Sequence, residues 1–265
     1  MNLLKRKVLS AVLTMSASCV FAGTMGSVES NPNFGGFYAG LGTGMMTLMS
    51  DLSYSVTRVP TLSPSYSGKA SYTDTAVLFD GHLGYGQMFH EKAYLGAKAS
   101  IFYTPLKHEQ QGPYAAATGS LLTISNNMNT LTLKPFYNVD AVLGYEVLPH
   151  LLPFVEAGVT FANVNTRYRG ARTQSNVSTG TTSYYSFALN SNKYTTGGNV
   201  GVGAKYLVNK NWFLSSELIY SYLGKDSVGT SIAVPATTTT DNHNRSRTNQ
   251  AVSLLAGVSY LFPNS

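Results

Sequence analysis

Side chains suited to acid–base or nucleophilic chemistry are sparse in this sequence: five histidines, twelve acids and one cysteine, Cys19, among 265 residues. Two His–Asp spacings stand out. Asp80 and His82 are two apart, which in an extended strand sets both on one face, and Asp241 and His243 repeat the spacing in a polar stretch near the end. The second pair resembles part of a protease dyad at a barrel rim, but a loop histidine beside an aspartate is usually only solvated. A lipid deacylase needs a Ser and a His that meet an acyl chain from the membrane side, and no such pair is spaced for it. There is no HExxH, no cysteine cluster and no Asp-rich calcium loop, so no catalytic, metal or cofactor residue is assigned. Gly40-x-Gly42-x-Gly44 lacks the helix that must follow a dinucleotide loop. The chain reads as a non-enzyme.

The elements that must hold these residues are strands. Eight stretches alternate apolar with polar or glycine residues, at approximately 35–48, 75–88, 93–104, 130–147, 152–164, 195–208, 211–223 and 248–262. The second, fourth and sixth connectors are tight; the first, third, fifth and seventh are long polar loops at 49–74, 105–129, 165–194 and 224–247. An even strand number, short turns on one side, long loops on the other and about ten residues per crossing describe a transmembrane β-barrel of the bacterial outer membrane. Both termini then fall on the periplasmic side. Lys5, Arg6 and Lys7 precede a short apolar run ending in Val20-Phe21-Ala22, the pattern of a cleaved signal peptide over 1–22. Residues 23–34 are expected to be a short periplasmic segment, 35–262 the barrel and 263–265 a tail, with no separate peptidoglycan-binding domain. Cys19 lies inside the signal, and Ser16 stands where a lipoprotein signal favours an aliphatic residue.

Composition agrees with lipid as a solvent. Only 11% of residues are charged, against about 25% in ordinary water-soluble domains, and mean hydropathy is −0.02, as expected where a polar lumen dilutes an apolar wall. The net charge of +6 falls to +3 once the three basic signal residues leave. A nucleic-acid partner is not implied.

Parity separates the two faces of the wall. Val77, Phe79, Gly81, Leu83 and Tyr85 oppose Leu78, Asp80, His82 and Gly84; in the fourth stretch Leu131, Leu133, Pro135, Tyr137, Val139, Ala141, Leu143 and Tyr145 oppose Thr132, Lys134, Phe136, Asn138, Asp140, Val142, Gly144 and Glu146. Aromatics on the apolar face gather at strand ends, Phe37, Tyr85, Tyr145, Tyr206, Trp212, Tyr260 and Phe262 at one and Tyr103, Phe161, Tyr220 and Tyr222 at the other, as two headgroup girdles would. A soluble barrel would reverse this, with a charge-rich outer face.

The C-terminal Gly257-Val258-Ser259-Tyr260-Leu261-Phe262 resembles the assembly signal of outer-membrane proteins, although Pro263, Asn264 and Ser265 follow the final aromatic. With GGFYAGLGTG at 35–44, PFVEAGVTFA at 153–162 and WFLSSELIYSYL at 212–223, the chain resembles the opacity-protein and OmpA-type family of eight-stranded barrels. The resemblance implies recognition by the barrel assembly machinery through the last strand, and bears on fold more than on function.

Two groups of residues are candidate sites. Asp80, His82, Lys98, Lys134, Asp140, Glu156, Lys205 and Glu217 are predicted to point into the lumen, with Asp80 expected to pair with Lys98 and Glu217 to lie opposite Gly201 or Gly203. Buried charges must be paired, and eight strands leave an interior that side chains fill, so a salt-bridged plug is expected; the alternative is an ion pathway. Arg167, Arg169, Arg172 and Lys193 in the third long loop carry no acid among them. They suit lipopolysaccharide phosphates, acidic glycans or host-surface molecules, beside the plainer reading of a solvated cluster. The functional expectation is envelope structure and surface interaction, adhesion or antigen display; the alternative is a narrow porin-like channel, and an outer-membrane enzyme comes third.

Overall fold

A computed structural model describes residues 34–59, 66–89, 92–118, 121–176, 180–233 and 240–262; the signal stretch, Cys19, His90 and the tail lie outside them. Ten antiparallel strands form: β1 (Gly36–Val59), β2 (Tyr66–Phe89), β3 (Ala93–Tyr103), β4 (Lys107–Thr118), β5 (Leu121–Leu133), β6 (Phe136–Tyr145), β7 (Leu151–Asn176), β8 (Thr181–Leu207), β9 (Trp212–Ala233) and β10 (Thr240–Leu261). Eight of them close a ring in the order β1, β2, β3, β6, β7, β8, β9, β10 and back to β1. The remaining pair, β4 and β5, continues β3 and β6 outward past Pro105 and Pro135, and β5 pairs with the outer part of β7. Proline has no N–H to give the ladder, so each break falls at one. Among the described residues, the part of β2 outward of Phe79 shares a backbone ladder with β1 alone. Across that seam the Thr104 hydroxyl donates to the Val77 carbonyl at 2.9 Å and His108 Nδ1 lies 3.3 Å from Asp74 Oδ2.

Closure leaves one aliphatic belt outside. Leu41, Leu83, Leu95, Ile101, Val139, Leu143, Val155, Val159, Val200 and Val202 are exposed, and Phe37, Tyr145, Trp212 and Phe262 border them at the short-turn end, with Phe79, Tyr103, Tyr137, Phe161 and Tyr220 at the other. Phe37 packs on Tyr85 at 4.6 Å and Trp212 on Tyr260 at 5.1 Å between ring centres. An apolar belt between aromatic girdles is the surface a bilayer requires. The turns below are tight. Asn209 Oδ1 accepts the backbone N–H of Asn211 and Trp212, both at 2.9 Å, and the β6–β7 turn holds His150 at φ 78°.

Two expectations change. The long polar connectors are mostly strand: β1, β2, β7, β8, β9 and β10 run 22 to 27 residues, at least twice the roughly nine to eleven needed to cross lipid. Ser, Thr and Asn kept the two faces alike in polarity there, which hid the alternation, but the backbone ladder continues regardless. In the fourth stretch parity slips at Lys134–Pro135. Leu131 and Leu133 are buried in the lumen with Phe136, not on the lipid wall, because Lys134 and Pro135 together face the single residue Asn163, a bulge that adds one residue to the count while the Lys134 N–H still donates to the Asn163 carbonyl at 3.0 Å. A second slip, at Gly224 with φ 90° opposite the Thr248/Gln250 bulge, turns Asp226 inward.

Candidate functional site

The lumen is filled in layers. At the short-turn end Phe34, Tyr38, Tyr94, Val142, Leu152, Phe154, Leu207, Phe213 and Leu261 form an apolar floor. Above it lies the charged layer. Lys98 Nζ, on β3, reaches Glu156 Oε2 of β7 at 2.6 Å and Glu217 Oε2 of β9 at 2.8 Å, all three side chains nearly inaccessible. Glu217 lies opposite Gly203, as expected, and crosses the lumen from there. Lys205 dips into the floor, its ammonium 4.3 to 5.4 Å from the ring centres of Tyr38, Tyr94, Phe213 and Phe154; the ring quadrupoles of this cage offset its charge. Asp140 is buried register-opposite Lys98. Asn199 donates to Thr160, which donates to Asn138 at 2.9 Å. A second apolar layer, including Met46, Leu78, Phe102, Leu106, Leu131, Leu133, Phe136, Ile219 and Leu223, closes the lumen above.

Asp80 pairs differently from expectation. Its partner is not Lys98 but His82, with Asp80 Oδ2 2.5 Å from His82 Nδ1, and His82 Nε2 is 2.8 Å from Ser259 Oγ. Register explains it: His82 lies opposite Ser100, Lys98 opposite Gly84 and Asp80 opposite Phe102, four residues from Lys98. Asp–His–Ser is the order of a hydrolase relay. Ser259 is 0% exposed, however, and Gly40 closes over it so tightly that a Cβ there would collide with Ser259 Oγ and His82 Nε2. No substrate carbonyl reaches that hydroxyl, and the relay acts as internal hydrogen bonding. Lys134, counted with the lumen charges, is the exception among them: it is half-buried at the proline break, away from the charged layer.

The basic group at the outer mouth divides. Arg167 and Arg169 are exposed on the outer face of β7, opposite Asn190 and Ala188 of β8. Arg172 lies in the same strand at opposite parity; its side chain is outside the described residues. Lys193 comes from β8 and is not part of an acid-free cluster, since its Nζ is 3.3 Å from Asp226 Oδ1 of β9. Sequence reasoning missed the residues inside the mouth. Arg245 of β10 lays its guanidinium on the Tyr168 ring, 3.2 Å from the ring centre. Arg247 is 5% exposed and donates from Nη1 to Thr166 Oγ1 at 3.3 Å, and burial holds its pKa below the ordinary value. A cavity of about 30 Å³ between them is lined also by Leu52, Asn129, Leu189, Ser191 and Asp226. The alternation His243, Arg245, Arg247 was a legible signal in a stretch read as loop.

The chain is an eight-stranded transmembrane β-barrel. No protein-family model and no curated protein sequence matches it. Among solved structures it is similar to Neisserial surface protein A, at 12% identity and TM-score 0.31 over 83% of this chain and 99% of that one. It is also similar to Ail, the attachment invasion locus protein of Yersinia pestis, at 13% identity and TM-score 0.30 over 83% and 99%, and to the outer membrane protein OprG from Pseudomonas aeruginosa, at 13% and 0.44 over 87% and 97%. These superpositions are loose, and the closed ring rests on this chain's own strand register.

Proposed function

We propose that this barrel is a non-enzymatic protein of the bacterial outer membrane that serves envelope structure and surface interaction, with both termini periplasmic and the last strand, Gly257 to Phe262, read by the assembly machinery. The observation that carries the reading is the length of its wall. Beyond the outer girdle the strands project roughly as far again as they span, and the projecting face carries Arg167 and Arg169 into water. Polar sheet held above a membrane whose outer leaflet is anionic is suited to contact lipopolysaccharide phosphates or the acidic glycans of another cell. The lumen supports this over the channel reading, because two apolar layers and an ion-paired layer stand in series across it.

The test is a titration of the purified barrel with lipopolysaccharide and with a sulfated glycan across ionic strengths, wild type against the triple Arg167→Ser, Arg169→Ser, Arg172→Ser variant. Binding is expected to weaken in the variant and to fall with salt, since exposed charges are screened beyond about 8 to 10 Å at physiological ionic strength. Superimposable, salt-independent curves would reduce these arginines to a solvated cluster.

A further inference from the structure

Arg247 is a cation withdrawn from water, register-opposite Asp226 and 6.0 Å from the Tyr72 ring centre, and most of its donors are unanswered by these neighbours. Of the five N–H donors on a guanidinium, Arg247 uses Nη1 on Thr166, and its buried Nε–H has no acceptor among the described residues. Arg245 adds a second guanidinium to the lining of the same cavity, its face on the Tyr168 ring. Among the described residues of the cavity lining the carboxylate is Asp226, and Lys193 sits on it at 3.3 Å. Two positive charges therefore remain in excess where dielectric is low and unpaired charge is costly. The cavity of about 30 Å³ has room for about two water molecules, which is also the space of one small anion.

We propose that the outer mouth of the lumen holds a small water-borne anion, of the class of chloride, sulfate or phosphate, in the cavity between Arg245 and Arg247. The anion accepts the Nε–H of Arg247 and an edge N–H of Arg245, with the Thr166 hydroxyl and Asn129 amide close by. A lipid headgroup is the wrong source. The cavity is lined from inside the wall and lies above the girdle residues Tyr220 and Tyr222, so the barrel separates it from the bilayer. This site is distinct from Arg167 and Arg169 on the outer face, and it stands whether or not they bind a glycan.

The experiment follows the Arg247 Nε–Hε resonance of the full barrel in detergent micelles while chloride, sulfate or phosphate replaces a bulky organic anion at constant ionic strength. At least one anion is expected to shift it saturably. Arg245→Gln should weaken that binding tenfold or more, and the Arg167→Ser, Arg169→Ser pair should leave it unchanged. A non-saturating drift, identical for all three anions, would overturn the proposal. So would saturable binding, read at the Tyr168 ring, that survives in Arg247→Gln. If Arg247→Gln fails to fold, judged by its mobility in unheated gels, Arg247→Lys keeps the charge without the fork and is expected to weaken binding; undiminished binding in that variant equally overturns it.

Discussion

At the residue scale, the lumen shows what sequence parity can and cannot specify. Alternation along single strands placed Asp80, His82, Lys98, Asp140, Glu156, Lys205 and Glu217 inside, and all seven are buried. Their partners were not legible, because Lys98, Glu156 and Glu217 come from strands that meet only across the closed ring. The aromatic cage around Lys205 was hidden for the same reason: its four rings come from β1, β3, β7 and β9. Lys98 is the residue on which the charged layer turns. Lys98→Met leaves two buried carboxylates facing one another, and breaking such a group by removing one partner costs about 3–5 kcal/mol. The urea midpoint of the folded band in micelles should fall accordingly, and the triple variant Lys98→Met, Glu156→Gln, Glu217→Gln should regain most of the loss. A single variant as stable as wild type would show that the triad is not coupled.

At the scale of the element, a strand's two faces are different solvents. Val139 and Ala141 on β6 face lipid and Asn138 faces the lumen. An arginine at Val139 or Ala141 should lower insertion into vesicles by about 2–4 kcal/mol, the cost of a cation near the bilayer midplane; at Asn138 the lipid penalty is absent and only crowding remains. Equal yields at the three positions would overturn the faces. The outward half of the same stretch is where sequence periodicity misled, since Leu131 and Leu133 look like lipid-facing residues in a continuous alternation. Lys134 and Pro135 together face the single residue Asn163 and shift the phase by one. Such a slip is invisible to hydrophobic pattern because Leu131, Leu133, Pro135 and Tyr137 continue one apolar alternation across it, although Leu131 and Leu133 face the lumen, where Phe102 and Phe136 stack at 4.8 Å, and Tyr137 faces lipid. The same indifference of pattern to backbone concealed the strands within the Ser- and Thr-rich connectors.

At the scale of the whole molecule, a closed ring has no open edge in the membrane, and its backbone hydrogen bonds are satisfied strand to strand. The barrel is expected to migrate faster on a gel when unheated than when boiled, and to give no unitary currents in planar bilayers. Identical mobilities would refute the closed ring, and steady ohmic currents would refute the plug. Girdles, strand number and short turns were all readable from composition and spacing; the height of the wall was not. That height has an immunological consequence. On the projecting sheet Arg169 lies beside Met128 of β5 and Ala188 of β8, so a surface patch here is assembled from segments far apart in the chain. With the sheet facing outward, as in the proposed function, an antibody to the intact cell would see a discontinuous epitope. A synthetic peptide copying 165–194 would lack its neighbours and, as an isolated hairpin, its shape, so sera raised against it would miss the native surface that the whole barrel displays.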